Sequence, residues 1–265
     1  MAIKLVALDL DDTLLDSKLA VSPRACEAIR QAIAQGVVVT IATGRMYRSA
    51  LPYARQLELD VPLITYNGAL IKSSLSAEIF LNCPVEQDLA RQLLALCRQN
   101  NWYIQSYIKD QLFVEAINHY AELYSRVAGV PAVAVGDRLY AAEDSPSKLL
   151  VMAPAADIPG IHQALNHAFG DKLNIVVSKP TYIEITHPLA NKGRALAFLA
   201  DKFGIKQEET MALGDSGNDV DMLKYAGWGV AMGNASAAVK ATARLETLSN
   251  DADGVAEAIE KYVLE

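Results

Sequence analysis

Three short, largely apolar runs, Ile3–Leu8, Val37–Ala42 and Leu63–Tyr66, alternate with two segments of helical length. That alternation restricts the fold more than any other feature of the chain. Ser22–Gln35 reads as a helix, with Pro23 at its first position and Gly36 as its stop. Tyr47–Leu57 reads as a second, although Pro52 disturbs its early part. A β-α-β-α-β order predicts a parallel sheet with right-handed crossovers. Such a sheet opens its binding crevice at the carboxyl ends of its strands, so the residues after each run carry the chemical interest.

Near Pro84 the texture changes. Val85–Asn100 has a helical pattern, and Tyr103–Ile108 and Leu112–Glu115 flank Lys109-Asp110 as a hairpin. Helix-like His119–Ala128 and Ile158–Phe169 follow, with strand-like Leu149–Met152, Asn174–Ser178 and Tyr182–Thr186. This describes an α+β layer, helices on one face of a sheet. After Pro188 the first texture returns: helix Lys192–Phe203, strand Met211–Leu213, helix Asp219–Tyr225, strand Gly229–Met232 and helix Ser236–Ala243. The chain therefore reads as one α/β domain, residues 1–82 and 188–265, interrupted by a smaller module at 83–187.

With 265 residues, 52% of them hydrophobic, the chain can bury a sizeable core. Its 31 acids against 24 bases give a net charge of −7, which argues against a nucleic-acid partner. No apolar run approaches the roughly 20 residues of a membrane span, and Met1 leaves no room for a signal peptide before the first strand. A soluble, cytoplasmic protein without a membrane partner is expected. Cys26, Cys83 and Cys97 are odd in number and unclustered, as free thiols are. The four histidines lack metal-ligand spacing. Trp102 and Trp228 read as packing residues, and Gly227-Trp228-Gly229 as the loop before a strand.

Asp9-Leu10-Asp11 closes the first run. Side chains two apart lie on one side of an extended chain, so both carboxylates can enter one pocket. One could attack phosphorus and the other exchange a proton with the leaving oxygen and with water; aspartates also serve as plain turn formers. Asp215, Ser216, Asn218 and Asp219 close a second run, Met211–Leu213. With Asp9 and the Asp11 carbonyl, Asp215 offers the oxygen ligands that magnesium prefers, although helix capping would use the same residue types. Thr43-Gly44-Arg45 places a hydroxyl and N–H donors before a helix, an anion site or a simple cap. Lys192 opens a helix, where the dipole opposes a cation, so a phosphate or the Asp9 carboxylate is needed beside it.

These four segments, in this order, together with Tyr66-Asn67-Gly68-Ala69 and Gly229-Val230-Ala231-Met232, resemble the haloacid dehalogenase superfamily and, within it, the Cof-type hydrolases, which include sugar-phosphate phosphatases. The resemblance covers nearly the whole chain. It implies a Rossmann-like parallel-sheet core with an α/β cap inserted between the second and third motifs, in agreement with 83–187. It also implies a magnesium-dependent phosphatase acting on small phosphorylated metabolites, sugar phosphates first, through an aspartyl-phosphate. Carried over, Asp9 is nucleophile and metal ligand, and Asp11 is acid/base and a carbonyl ligand. Thr43 and the N–H groups of Gly44 and Leu10 hold phosphate oxygens. Lys192 neutralises charge, Asp215 binds magnesium, Asn218 contacts phosphate and Asp219 orients Lys192. Arg45 and Asn67 shape the pocket floor, and the cap closes over the substrate.

A phosphomutase with the same cap, or a non-catalytic metabolite-binding module, is the alternative; a dehalogenase has no use for the acid at Asp11. One departure from the usual motif is Asp12, where glycine is customary. Aspartate tolerates positive φ better than most residues, and its added charge is expected to raise the pKa of Asp11.

Overall fold

The structure is a computed structural model, and it describes residues 2–265. β1 (Leu5–Leu8) is wholly buried. It leads through α1 (Pro23–Ala34) to β2 (Val38–Ile41), and α2 (Tyr47–Gln56) then leads to β3 (Pro62–Thr65). In α1 the Ser22 hydroxyl accepts from the Ala25 N–H at 3.0 Å. The helix buries Ala25, Ala28, Ile29 and Ala32, one stripe at helical spacing. After β3 the chain folds back as β4 (Leu70–Ser73) and β5 (Ile79–Asn82), an antiparallel meander. Those two strands were not read from the sequence, because Lys72, Ser73 and Ser74 break up the apolar run that would announce them.

The next elements are α3 (Gln87–Gln99), β6 (Ile104–Ile108), β7 (Gln111–Val114), α4 (His119–Ala128), β8 (Ala132–Ala134), α5 (Arg138–Ala141), β9 (Lys148–Met152), α6 (Ile158–Phe169), β10 (Asn174–Lys179) and β11 (Tyr182–Thr186). Their six strands form a separate sheet in the order β10-β11-β9-β6-β7-β8. Lys109 and Asp110 both have positive φ, as a tight hairpin turn between β6 and β7 requires. The sequence did not announce β8 or α5, which have three and four residues.

α7 (Lys192–Lys202), β12 (Thr210–Gly214), α8 (Val220–Tyr225), β13 (Trp228–Ala231), α9 (Ala237–Lys240), β14 (Leu245–Glu246) and α10 (Gly254–Ile259) return the chain to the first sheet. That sheet runs β14-β13-β12-β1-β2, parallel throughout. β3 lies alongside β2, held by a parallel Ala42–Ile64 bridge and by the Thr40 hydroxyl donating to the Pro62 carbonyl at 2.7 Å. The α/β fold class is as expected.

Two expectations need correction. The helix expected over Ser236–Ala243 stops at Lys240, because the Thr242 hydroxyl takes the Val239 carbonyl at 2.7 Å and the chain turns to pair with β13. Trp228, read as part of a loop, is the first residue of β13, one residue before the strand expected from Gly229. α8 crosses so closely there that a Cβ on Gly229 would lie 2.1 Å from the Leu223 carbonyl oxygen. No helix among the described residues is long and apolar enough to cross a membrane.

Candidate active site

β1 and β12 are neighbours at the centre of the parallel sheet, and Asp9 and Asp215 are the residues that follow them. From β1 the chain moves to one side of the sheet, toward β2, and from β12 to the other, toward β13. Such a switch point leaves a crevice at the carboxyl ends of the strands. The two carboxylates therefore emerge side by side, and one oxygen from each of Asp9, Asp215 and Asp219 fits within 4.8 Å of the others.

Lys192 closes this cluster. Asn191 caps α7 by accepting from the Arg194 N–H at 2.7 Å, which turns the first helical residue inward. The Lys192 ammonium is fully buried and donates to Asp9 Oδ1 and to Asp219 Oδ1, each at 2.6 Å. Asp219 Oδ2 accepts from the N–H groups of Asp215 and Ser216 at 3.1 and 3.0 Å. Both Asp219 oxygens are thus engaged, Oδ1 by the Lys192 ammonium and Oδ2 by backbone N–H groups. Asp215 Oδ1 accepts from the Thr13 hydroxyl at 2.9 Å, while the second oxygens of Asp9 and Asp215 accept nothing from the described residues.

The electrostatics follow from burial and crowding. Burial lifts the pKa of Asp9 well above the usual carboxylate range, and Asp219 adds to this against the pull of Lys192. Burial and Asp219 push Asp215 up to about 7. For Lys192 burial works against the charge, but Asp219 and Asp9 overcome it and raise its pKa. Asp11 was expected to be raised by Asp12; it is lowered instead. Burial opposes that shift, yet the Arg45 guanidinium donates to both Asp11 oxygens at 2.9 and 2.6 Å and prevails. Asp12 sits at φ +59°, the left-handed conformation that explains why glycine suits this position.

A cavity of about 400 Å³ opens over the cluster. Asp9, Asp11, Gly44, Arg45, Asp215 and Asn218 line it. Thr43, Asn67, Lys192 and Asp219 are buried, as is Leu10. The Thr43 hydroxyl accepts from the Arg45 N–H at 3.1 Å, so it shapes the turn that carries Gly44. Asn67 accepts from Asn218 Nδ2 at 2.9 Å.

Residues 6–259 match the haloacid dehalogenase-like hydrolase family. The chain belongs to that family. A haloacid dehalogenase-like hydrolase from Bacteroides thetaiotaomicron superposes on it with a TM-score of 0.90 at 32% identity, over 98% of this chain and 99% of the other. A 5-amino-6-(5-phospho-D-ribitylamino)uracil phosphatase of Bacillus subtilis is 34% identical over 99% of this chain and 96% of its own. An Escherichia coli phosphatase of the same description is 30% identical over 99% and 97%. This haloacid dehalogenase-like hydrolase is an enzyme of the phosphatase type.

The six-stranded sheet of the hydrolase supplies the other wall of the cavity with Lys148, Ser178, Lys179, Tyr182 and Glu184, joined by Tyr124 from α4. None of these was singled out from the sequence. Lys148 and Glu184 did leave a signal. Each is a lone charge in an apolar strand, Lys148 before Leu149–Met152 and Glu184 between Ile183 and Ile185.

Proposed function

We propose that this phosphatase is a magnesium-dependent hydrolase of small phosphorylated metabolites, sugar phosphates foremost, that works through an aspartyl-phosphate on Asp9. One observation carries the reading: Asp9 and Asp215 leave adjacent strands with one uncommitted oxygen each, beside an ammonium pinned at 2.6 Å. Magnesium takes one or two carboxylates together with phosphate oxygens and water. Asp9, Asp215 and the Asp11 carbonyl fit that preference and would hold the ion. When bound, it would supply positive charge against the phosphoryl oxygens.

Asp9 attacks phosphorus, and the ester bond to the leaving oxygen breaks. Asp11 gives that oxygen a proton, then takes one from the water that cleaves the aspartyl-phosphate and regenerates Asp9. Arg45 favours the ionised form of Asp11, which suits the base step and opposes the protonated form that the acid step needs. Lys192, held by Asp219, neutralises charge between Asp9 and the phosphoryl group, where stabilisation matters most. Thr43, the N–H groups of Leu10 and Gly44, and Asn218 bind the other phosphate oxygens, with Arg45 and Asn67 shaping the floor. Residues 83–187 act as the cap, and 1–82 with 188–265 as the core. The naming of two relatives as phosphatases of a phosphorylated ribityl compound supports a small polyol-like substrate. The test is turnover of p-nitrophenyl phosphate and a panel of phosphorylated metabolites with magnesium. Asp9→Asn should be folded and inert; near-normal turnover by that variant defeats the assignment.

A further inference from the structure

Lys148 and Glu184 lie on β9 and β11, adjacent strands of the six-stranded sheet, yet their charged ends reach the parallel-sheet side of the cavity. Lys148 Nζ donates to the Gly44 carbonyl at 2.8 Å and to Glu184 Oε1 at 3.1 Å. Glu184 Oε2 accepts from Asn67 Nδ2 at 2.5 Å, and Asn67 Oδ1 accepts from Asn218 Nδ2 at 2.9 Å. The chain Gly44–Lys148–Glu184–Asn67–Asn218 thus starts and ends on groups assigned to phosphate. We propose that Lys148 and Glu184 are positioning residues that clamp Gly44 and set the orientation of Asn67 and Asn218 when the two sheets are together; this rests on the phosphatase reading.

Three physical points carry it. Glycine has no side chain to restrain its torsions, so a donor on the Gly44 carbonyl fixes the backbone beside the phosphate-facing N–H. The fit is close as well: a Cβ on Gly44 would lie 2.8 Å from Asn67 Oδ1 and 3.4 Å from Glu184 Oε2. An ionised carboxylate only accepts. Glu184 therefore forces the amide of Asn67 to turn its NH₂ outward and its oxygen toward Asn218, which must donate. Finally, a buried ion pair regains little more than its desolvation cost, and an apolar pair would join the sheets as well. Lys148 is 1% exposed, so adhesion alone does not explain it. Other contacts also link the two sheet-bearing parts of the chain. Ser49 donates to the Ala128 carbonyl at 2.6 Å and Tyr66 to Asp110 at 2.8 Å, without touching Gly44 or Asn218.

The experiment compares the parent with Lys148→Met, Glu184→Gln, their combination and Ser49→Ala. Inorganic phosphate binding is measured by calorimetry with magnesium, alongside p-nitrophenyl phosphate turnover and melting temperature. Each single clamp variant should lose about tenfold in phosphate affinity and about 100-fold in kcat, as small misplacements do. The double variant should be no worse than the poorer single and should melt near the parent, while Ser49→Ala keeps its phosphate affinity. Glu184→Gln, which preserves size, keeps the comparison open if Lys148→Met does not fold. Folded clamp variants with parental affinity and turnover overturn the proposal. So does a double loss equal to the product of the singles, or the same loss in Ser49→Ala. A parent that binds phosphate without hydrolysing esters removes only the phosphatase reading, and the affinities still decide the clamp. A parent that does neither overturns both.

Discussion

Lys192 Nζ stands 2.6 Å from Asp9 Oδ1 and 2.6 Å from Asp219 Oδ1, although the two acids come from opposite halves of the chain. The ammonium is what allows two buried carboxylates to approach each other. Lys192→Met leaves them facing one another without a counter-charge, which should cost about 3–5 kcal/mol of stability. Removing the charge from the phosphoryl side should also lower kcat by at least about 100-fold. Lys192→Arg should not rescue activity, because a planar guanidinium cannot replace a compact donor between two oxygens. Urea midpoints and turnover numbers for the two variants check both parts.

Asp215 makes a separate prediction for the metal. A ligand that binds only the folded chain stabilises it by about 2.7 kcal/mol at a hundred times its dissociation constant. Magnesium should therefore raise the melting temperature of the parent, and EDTA should abolish both that shift and hydrolysis. Asp215→Asn should lose most of the shift while keeping the parental melting temperature in EDTA. An equal magnesium shift in parent and variant would take Asp215 out of the metal site.

The parallel core was legible because its signals are local. Buried strands are short apolar runs, Pro23 and Gly36 punctuate a helix, and Asp9, Thr43 and Asp215 stand at the ends of such runs. The order of motifs then linked Asp9 with Asp215, which no local pattern could do. The opposite wall of the cavity was not legible. Lys148 and Glu184 act on Gly44 and Asn67 across two sheets, and a charge at a strand position reads equally well as solvated. The Asp11 shift was misjudged for a related reason. Asp12 is adjacent in sequence, whereas Arg45, which reverses the sign, arrives from another strand end. α10 and the β4–β5 hairpin went unread because small residues and serines blur their periodicity.

Gly68 links a backbone turn to the position of Lys192. It has φ +94°, and a Cβ there would fall 2.4 Å from the carbonyl oxygen of Asn191, the cap of α7. Gly68→Ala must both adopt an unfavourable torsion and push the helix start outward. The expected cost is about 2–4 kcal/mol, from overpacking with backbone strain added. Because Lys192 is the first residue of that helix, kcat should fall more than KM changes. Chemical denaturation and steady-state kinetics on Gly68→Ala test the link; a stable variant with parental kcat breaks it.

Cys97 predicts how stability responds to alkali, away from the Asp9–Asp219 cluster. Burial pushes its thiol up to about 12, against about 8.5 for an unfolded cysteine. Above the unfolded value the denatured chain releases this proton and the folded chain keeps it. Stability is therefore intact below about pH 8.5 and falls as pH rises toward the folded value, by roughly 1.4 kcal/mol per unit. Buried tyrosines such as Tyr66 and Tyr107 are raised in the same direction and steepen the fall, but they are common to parent and variant. Cys97→Ala, less stable at neutral pH through lost packing, should therefore show a shallower decline between pH 9 and 11, by one proton. Denaturation curves at several pH values measure that difference in slope, and parallel declines would mean that the folded thiol ionises as readily as the unfolded one.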